Sequence, residues 1–133
     1  RERFDPSVSK VMSKQELEEM LDVVELANHT KNLHKRYLDG TSEMQATSLQ
    51  ELKKDLAECG EYVSYPDVFA YPFGIYVPKD IERLAEAGIN YAFTTVRGVD
   101  TLSTPVLELH RDTVILGCTV ETFKKIVEQG ARK

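Results

Sequence analysis

The sequence predicts an α/β domain built on a largely parallel sheet, and three observations lead there. Short apolar runs rich in Val, Ile, Phe and Tyr alternate with stretches of helical period along the chain, the order expected of βα units. The helical stretches carry their own start and stop residues. Each of the clearest apolar runs empties into a polar, Gly- or Pro-containing segment, namely Asn28-His29-Thr30, Tyr71-Pro72-Phe73-Gly74 and Thr94-Thr95-Val96-Arg97-Gly98. In parallel α/β folds ligands gather at the carboxyl ends of strands, so these three segments mark the rim where a site is expected.

Residues 1–12 have no clear period and contain Pro6, and read as a lead-in. Ser13-Lys14-Gln15-Glu16 has capping-box spacing, and Leu17, Met20 and Leu21 follow at helical intervals, which predicts a helix over 14–22. Val23-Val24-Glu25-Leu26-Ala27 reads as a buried strand. Lys31 to Thr47 is polar, holds the turn pair Asp39-Gly40, and predicts a long loop of the kind that carries function. Ser48-Leu49-Gln50-Glu51 is a second capping box, Leu49, Leu52 and Leu56 form a stripe, and Gly60 stops that helix. Val68-Phe69-Ala70-Tyr71 is a strand. Pro78 suits a first helical position, Ile81, Leu84 and Ala85 follow, and Gly88 ends the helix. Ile89 to Thr95 and Thr113 to Leu116 read as two more strands. Val120 to Glu128 is a closing helix with Phe123, Ile126 and Val127 expected inward.

Composition narrows the function classes. With 41% apolar residues the 133-residue chain has enough side chain to bury a core, so a single domain over 1–133 is expected. Asp+Glu outnumber Lys+Arg by 22 to 17, which argues against a nucleic-acid partner. The longest apolar run is four residues, Val68 to Tyr71, so no transmembrane segment is expected. Cys59 and Cys118 form no Cys-x-x-Cys and no disulfide scaffold.

Asn28-His29-Thr30-Lys31-Asn32-Leu33-His34 is the most informative stretch. Two imidazoles five residues apart, the first at a strand end, converge if the chain turns between them, and neutral imidazole is a common ligand for zinc. By spacing alone, two nearby histidines in a polar loop are more often ordinary surface residues than ligands.

Val24 to His34 resembles the second motif of the polysaccharide deacetylases, the NodB-like carbohydrate esterases. Val68-Phe69-Ala70-Tyr71-Pro72-Phe73-Gly74 is similar to their third motif in its Tyr-Pro-Phe-Gly form, and Leu84 to Thr95 to the helix and strand that follow it. The resemblance covers roughly residues 13–130. It implies an incomplete (β/α) barrel with mostly parallel strands, the C-terminal portion of a deacetylase domain. It also implies a metal-dependent hydrolase removing N-acetyl groups from a carbohydrate polymer, extracellular or at the cell surface in the parent protein. His29 and His34 would be ligands to zinc or another divalent metal, Thr30 would support the loop, and the backbone N–H of Phe73 would donate to the oxyanion.

The chain departs from the family pattern in three places. The family's first motif, a Thr-Phe-Asp-Asp-Gly segment that supplies the base and a third ligand, has no counterpart, since the chain contains no Asp-Asp. Ala70 stands where many members have Arg. Gly117-Cys118 stands where a late acid His would follow, and His110 precedes the expected last strand. Weak metal binding and little or no activity are therefore expected of this chain alone. Its opening, Arg1-Glu2-Arg3-Phe4, leads to the expectation that it is a portion of a longer polypeptide whose exposed strand edge invites a homodimer. Two alternatives stand beside this reading. One is a catalytically dead glycan-binding or scaffold domain of the same fold. The other is an unrelated α/β domain whose histidine rings point apart. Tyr62, Tyr65, Tyr71, Tyr76 and Tyr91 could stack on sugars or pack against neighbours. Lys31, Lys35 and Arg36 could meet an anionic polymer or face solvent, and Cys118 reads as a small buried hydrophobe.

Overall fold

Three of the helices begin on a serine whose hydroxyl and backbone are both engaged by a residue three places on. In the computed structural model, which describes residues 12–115 and 117–129, Ser13 caps α1 (Lys14–Glu19), Ser42 caps α2 (Glu43–Ala46) and Ser48 caps α3 (Leu49–Gly60). Glu16, Gln45 and Glu51 close the three boxes, so two orphan N–H groups at each start are satisfied. The middle box lies inside the expected 31–47 loop. That loop holds α2 because Met44 is fully buried and needs a local backbone that satisfies itself. In α4 (Pro78–Glu86) the Asp80 carboxylate accepts from the N–H of Val77 at 3.0 Å.

Three parallel strands, β1 (Ala27–Asn28), β2 (Tyr65–Ala70) and β3 (Tyr91–Phe93), lie in the order β1-β2-β3 and form a sheet that does not close. The core is Met44, Leu52, Leu56, Phe69, Tyr71, Leu84, Ile89 and Ala92, where α3 and α4 meet β2 and β3. Because the strands are parallel, their carboxyl ends share one rim, which carries the three segments picked out above.

Several boundaries differ from the expectations. The strand expected over 23–27 is reduced to Ala27–Asn28. Val23 and Val24 instead close a turn onto the carbonyl of Met20, with Val23 exposed and Val24 half-buried. Helix α1 stops at Glu19 rather than at the expected 22, and the N–H of Met20 closes it onto the carbonyls of Leu17 and Glu18. No strand forms over Thr113–Ile115, and Leu116 lies outside the described residues. The place beside β3 is taken by residues 106–111, which run parallel to it through Leu109 N–H to Ala92 O, Thr94 N–H to Leu109 O and Arg111 N–H to Val96 O. The alternation Leu107-Glu108-Leu109-His110 is a period-2 signal for this segment, and Leu107 packs on the core. The closing helix α5 (Val120–Gln129) forms as expected, but Phe123 and Val127 are exposed, so the expected inward stripe is not buried. Residues 1–11 of the expected lead-in over 1–12 lie outside the described residues.

Candidate functional site

The rim is organised by Asn28, which is wholly buried at the end of β1. Its amide donates to the carbonyl of Leu56 in α3 at 2.9 Å, and its side-chain oxygen accepts from the N–H of Thr30 at 3.1 Å. Thr30 adopts a left-handed φ of 68°, uncommon for a β-branched residue, and this bends the chain away from the sheet. Further along the same loop, the carboxylate of Asp55 in α3 accepts from the N–H groups of Lys31 at 2.7 Å and Asn32 at 2.8 Å.

Thus folded back, the loop brings His34 to His29. Their ring centroids are 4.8 Å apart, and the His34 ring lies 4.2 Å from that of Phe73. His29 Nδ1 is 2.6 Å from the carbonyl oxygen of Ala70 at the end of β2. A carbonyl only accepts, so Nδ1 carries the hydrogen and the neutral ring presents a bare Nε2. Burial lowers the pKa of His29 from its ordinary 6.5; the Ala70 carbonyl opposes this, and His34 and Arg111 push it further down. His29 is therefore neutral near pH 7, the form a metal needs.

Phe73 also takes a left-handed φ, 59°, within the 3-10 turn Pro72–Gly74, which sets this residue against His34 with its ring partly in solvent. Gly74 follows at φ 70°, and a Cβ there would clash with the side chain of Thr95. Gly74→Ala is therefore expected to cost roughly 2–3 kcal/mol, combining left-handed strain with a clash against the β3 exit. Thermal unfolding would read this as a lowered midpoint, and a midpoint equal to that of the parent chain would contradict it.

Sequence reasoning places three of these residues, His29, His34 and Phe73, and the fold brings them into contact. Thr30 supports the loop through its backbone N–H, whereas its hydroxyl oxygen is buried without a protein partner among the described residues. Asp55, the role of Asn28 and the proximity of Arg111 are missed. Asp55 leaves a trace in the sequence, a carboxylate at the helical spacing of the buried Leu52 and Leu56. His110 does not join the pair: its Nδ1 is 2.8 Å from Asp100 Oδ1, which also accepts its backbone N–H at 2.9 Å. Those bonds, the backbone one foremost, hold the Asp100 carboxyl below its usual range.

The other candidates divide cleanly. Tyr71 is buried, donates to Leu107 O at 2.9 Å and stacks on Tyr76 at 4.4 Å, so both serve packing. Tyr62, Tyr65 and Tyr91 are exposed. Lys31 pairs with Glu58 at 3.1 Å and Lys35 with Glu43 at 3.9 Å, which offsets the basic character of the loop. Cys118 is half-buried rather than buried, and neither cysteine is bridged. No helix among the described residues is long and apolar enough to cross a membrane.

Neither a protein-family model nor a curated protein sequence matches the chain. Among solved structures, the deacetylase domain of BpsB from Bordetella bronchiseptica matches with a TM-score of 0.55 and 22% identity, over 82% of this chain and 53% of that one. Over the matched region the chain has a similar α/β fold, with three parallel strands in a sheet that does not close. It spans about half the length of that structure.

The donor set fits a metal in part. Two imidazoles face one another, the hydrogen-bonded Nδ1 of His29 leaves Nε2 to bind, and an unsatisfied Thr30 hydroxyl lies in the same loop. Among the described residues no third His, Cys, Asp or Glu completes a group of three.

Proposed function

We propose that this chain carries the two-histidine part of a metal-dependent polysaccharide deacetylase that removes N-acetyl groups from a carbohydrate polymer. The observation that carries the reading is the His29–His34 ring pair at the carboxyl rim of a parallel sheet, with His29 fixed by the Ala70 carbonyl. The fold shared with a deacetylase domain supports it.

In this reading His29 and His34 hold zinc or another divalent ion. When bound, such an ion polarises the acetamide carbonyl and acidifies water toward pKa ~7. Phe73 offers its backbone N–H to the oxygen that gains charge, and its ring shields one side of His34. In this reading a third ligand and a base would come from the family's Asp-Asp motif, which this sequence lacks, so the chain alone binds metal weakly and turns over little. The same gap favours, as a second reading, a glycan-binding or scaffold domain without turnover. The outer edge of β1 has no strand beside it among the described residues, which supports pairing there with another strand, a second copy included. The net negative charge disfavours a nucleic-acid partner. A polymer substrate fits a parent protein at or outside the cell surface.

Calorimetric titration of the chain with ZnCl2 tests this. One weak site per chain is expected. It should tighten as pH rises from about 5 toward about 6.5, because a metal needs the neutral His29 ring and burial lowers the pKa of His29 from its ordinary 6.5. Absence of a histidine-dependent heat across that range would refute the metal assignment. An oligomeric N-acetylhexosamine that binds zinc-loaded chain without deacetylation, even when the acidic pair is restored on a longer chain, would favour the second reading.

A further inference from the structure

We infer that Asp55 is the positioning residue of this site: its carboxylate, held on α3, folds the His29–His34 loop into the conformation in which the two rings meet. The inference rests on the metal reading of the pair for its purpose, though the geometry stands by itself. Residues 29–35 belong to no helix or strand, so their backbone donors need other acceptors. Three successive N–H groups find them on side chains: Thr30 on Asn28, then Lys31 and Asn32 on the two oxygens of Asp55 at 2.7 and 2.8 Å. Bonds to a carboxylate are shorter and stronger than neutral ones, and Asp55 is only 6% exposed, so water competes poorly for it.

The anchor is rigid because of where it sits. Asp55 lies between Leu52 and Leu56 on the face of α3 that meets the sheet, and Leu56 O receives the amide of Asn28. The same turn of α3 therefore grips the loop at both ends of the Asn28–Asn32 segment. His29 is fixed separately, through Ala70 on β2. His34 is exposed, and its approach to His29 depends on the bend that Asp55 secures. A side chain with one acceptor and one donor cannot replace it, since its NH2 would face one of two N–H groups.

Three measurements on the full chain decide the matter. In the unaltered protein the amides of Lys31 and Asn32 should be protected from hydrogen exchange to an extent similar to those of β2. Exchange at the rate of an unstructured peptide in the folded chain would overturn the inference without any substitution. In Asp55→Asn, the nuclear Overhauser contacts between the His29 and His34 rings should vanish while the signals of Phe69, Leu84 and Ala92 persist. Persistence of the ring contacts would likewise overturn it. Zn2+ affinity should fall about tenfold or more in Asp55→Asn and stay unchanged in Glu58→Gln, whose target pairs with the side chains of Lys31 and Lys54 and with no backbone group of the loop among the described contacts. If the unaltered chain takes up no zinc, the metal reading fails, and the exchange and ring-contact results still decide the role of Asp55.

Discussion

Alanine at His34 is expected to abolish measurable Zn2+ uptake by this chain while leaving its stability within about 0.5 kcal/mol of the parent, because the side chain is exposed and supports no core contact. In a longer chain that also supplies an acidic pair, the same change should lower deacetylase turnover on the order of a hundredfold or more, since a site left with one imidazole cannot hold the ion in place. His29→Ala should match it in metal loss but differ in stability. It also strips the Ala70 carbonyl of its partner across two strands, a cost of about 1 kcal/mol. Calorimetry for the metal and thermal unfolding for stability, run on both variants, separate a ligand from a structural histidine. Unchanged zinc binding in either variant would remove that residue from the site.

The second large effect is predicted far from the rim. Arg83 and Asp80 of α4 are buried at 8% and 2% exposure and lie 3.1 Å apart. Arg83 also donates to the carbonyls of Met44 and Thr47, and Asp80 accepts from Gln45 and from the N–H of Val77. This network ties α2, and with it the far end of the histidine loop, to α4. Arg83→Ala leaves the buried Asp80 carboxylate without its counter-charge and takes a donor from the carbonyls of Met44 and Thr47, which should cost about 3–5 kcal/mol and lower the thermal midpoint by roughly 10–20 °C. Arg83→Met combined with Asp80→Asn should cost less than Arg83→Ala, because no uncompensated charge remains. A midpoint shift of only a few degrees in Arg83→Ala would show that the pair contributes little.

The helices were legible because their signals are local. Serine boxes at 13 and 48, the Leu49, Leu52 and Leu56 stripe, and Pro78 with Gly88 report the backbone state of their own neighbours. Strands were less so. Val23-Val24 looks like a strand from composition, but an apolar pair forms one only where another strand offers hydrogen bonds, and β2 offers them to Ala27 and Asn28 instead. Likewise, Thr113 to Leu116 is richer in β-branched residues than Val106 to Arg111, yet the latter pairs with β3, and its Leu107 packs on the core. The Phe123–Val127 stripe shows the same limit. Periodicity reveals an amphipathic helix, not whether anything covers it.

By itself, the sequence determined that capped helices alternate with parallel strands, and that histidine, phenylalanine and glycine gather where the strands end. Those are consequences of neighbouring residues and hydrophobic period. Only the tertiary structure decided that the two imidazoles meet, that His29 is held by a carbonyl 41 residues away and that Asp55 grips the loop from 24 residues on. The physical reason is that such contacts depend on how α3 and β2 dock beside β1, and a hydrogen bond across that distance leaves no period in the chain.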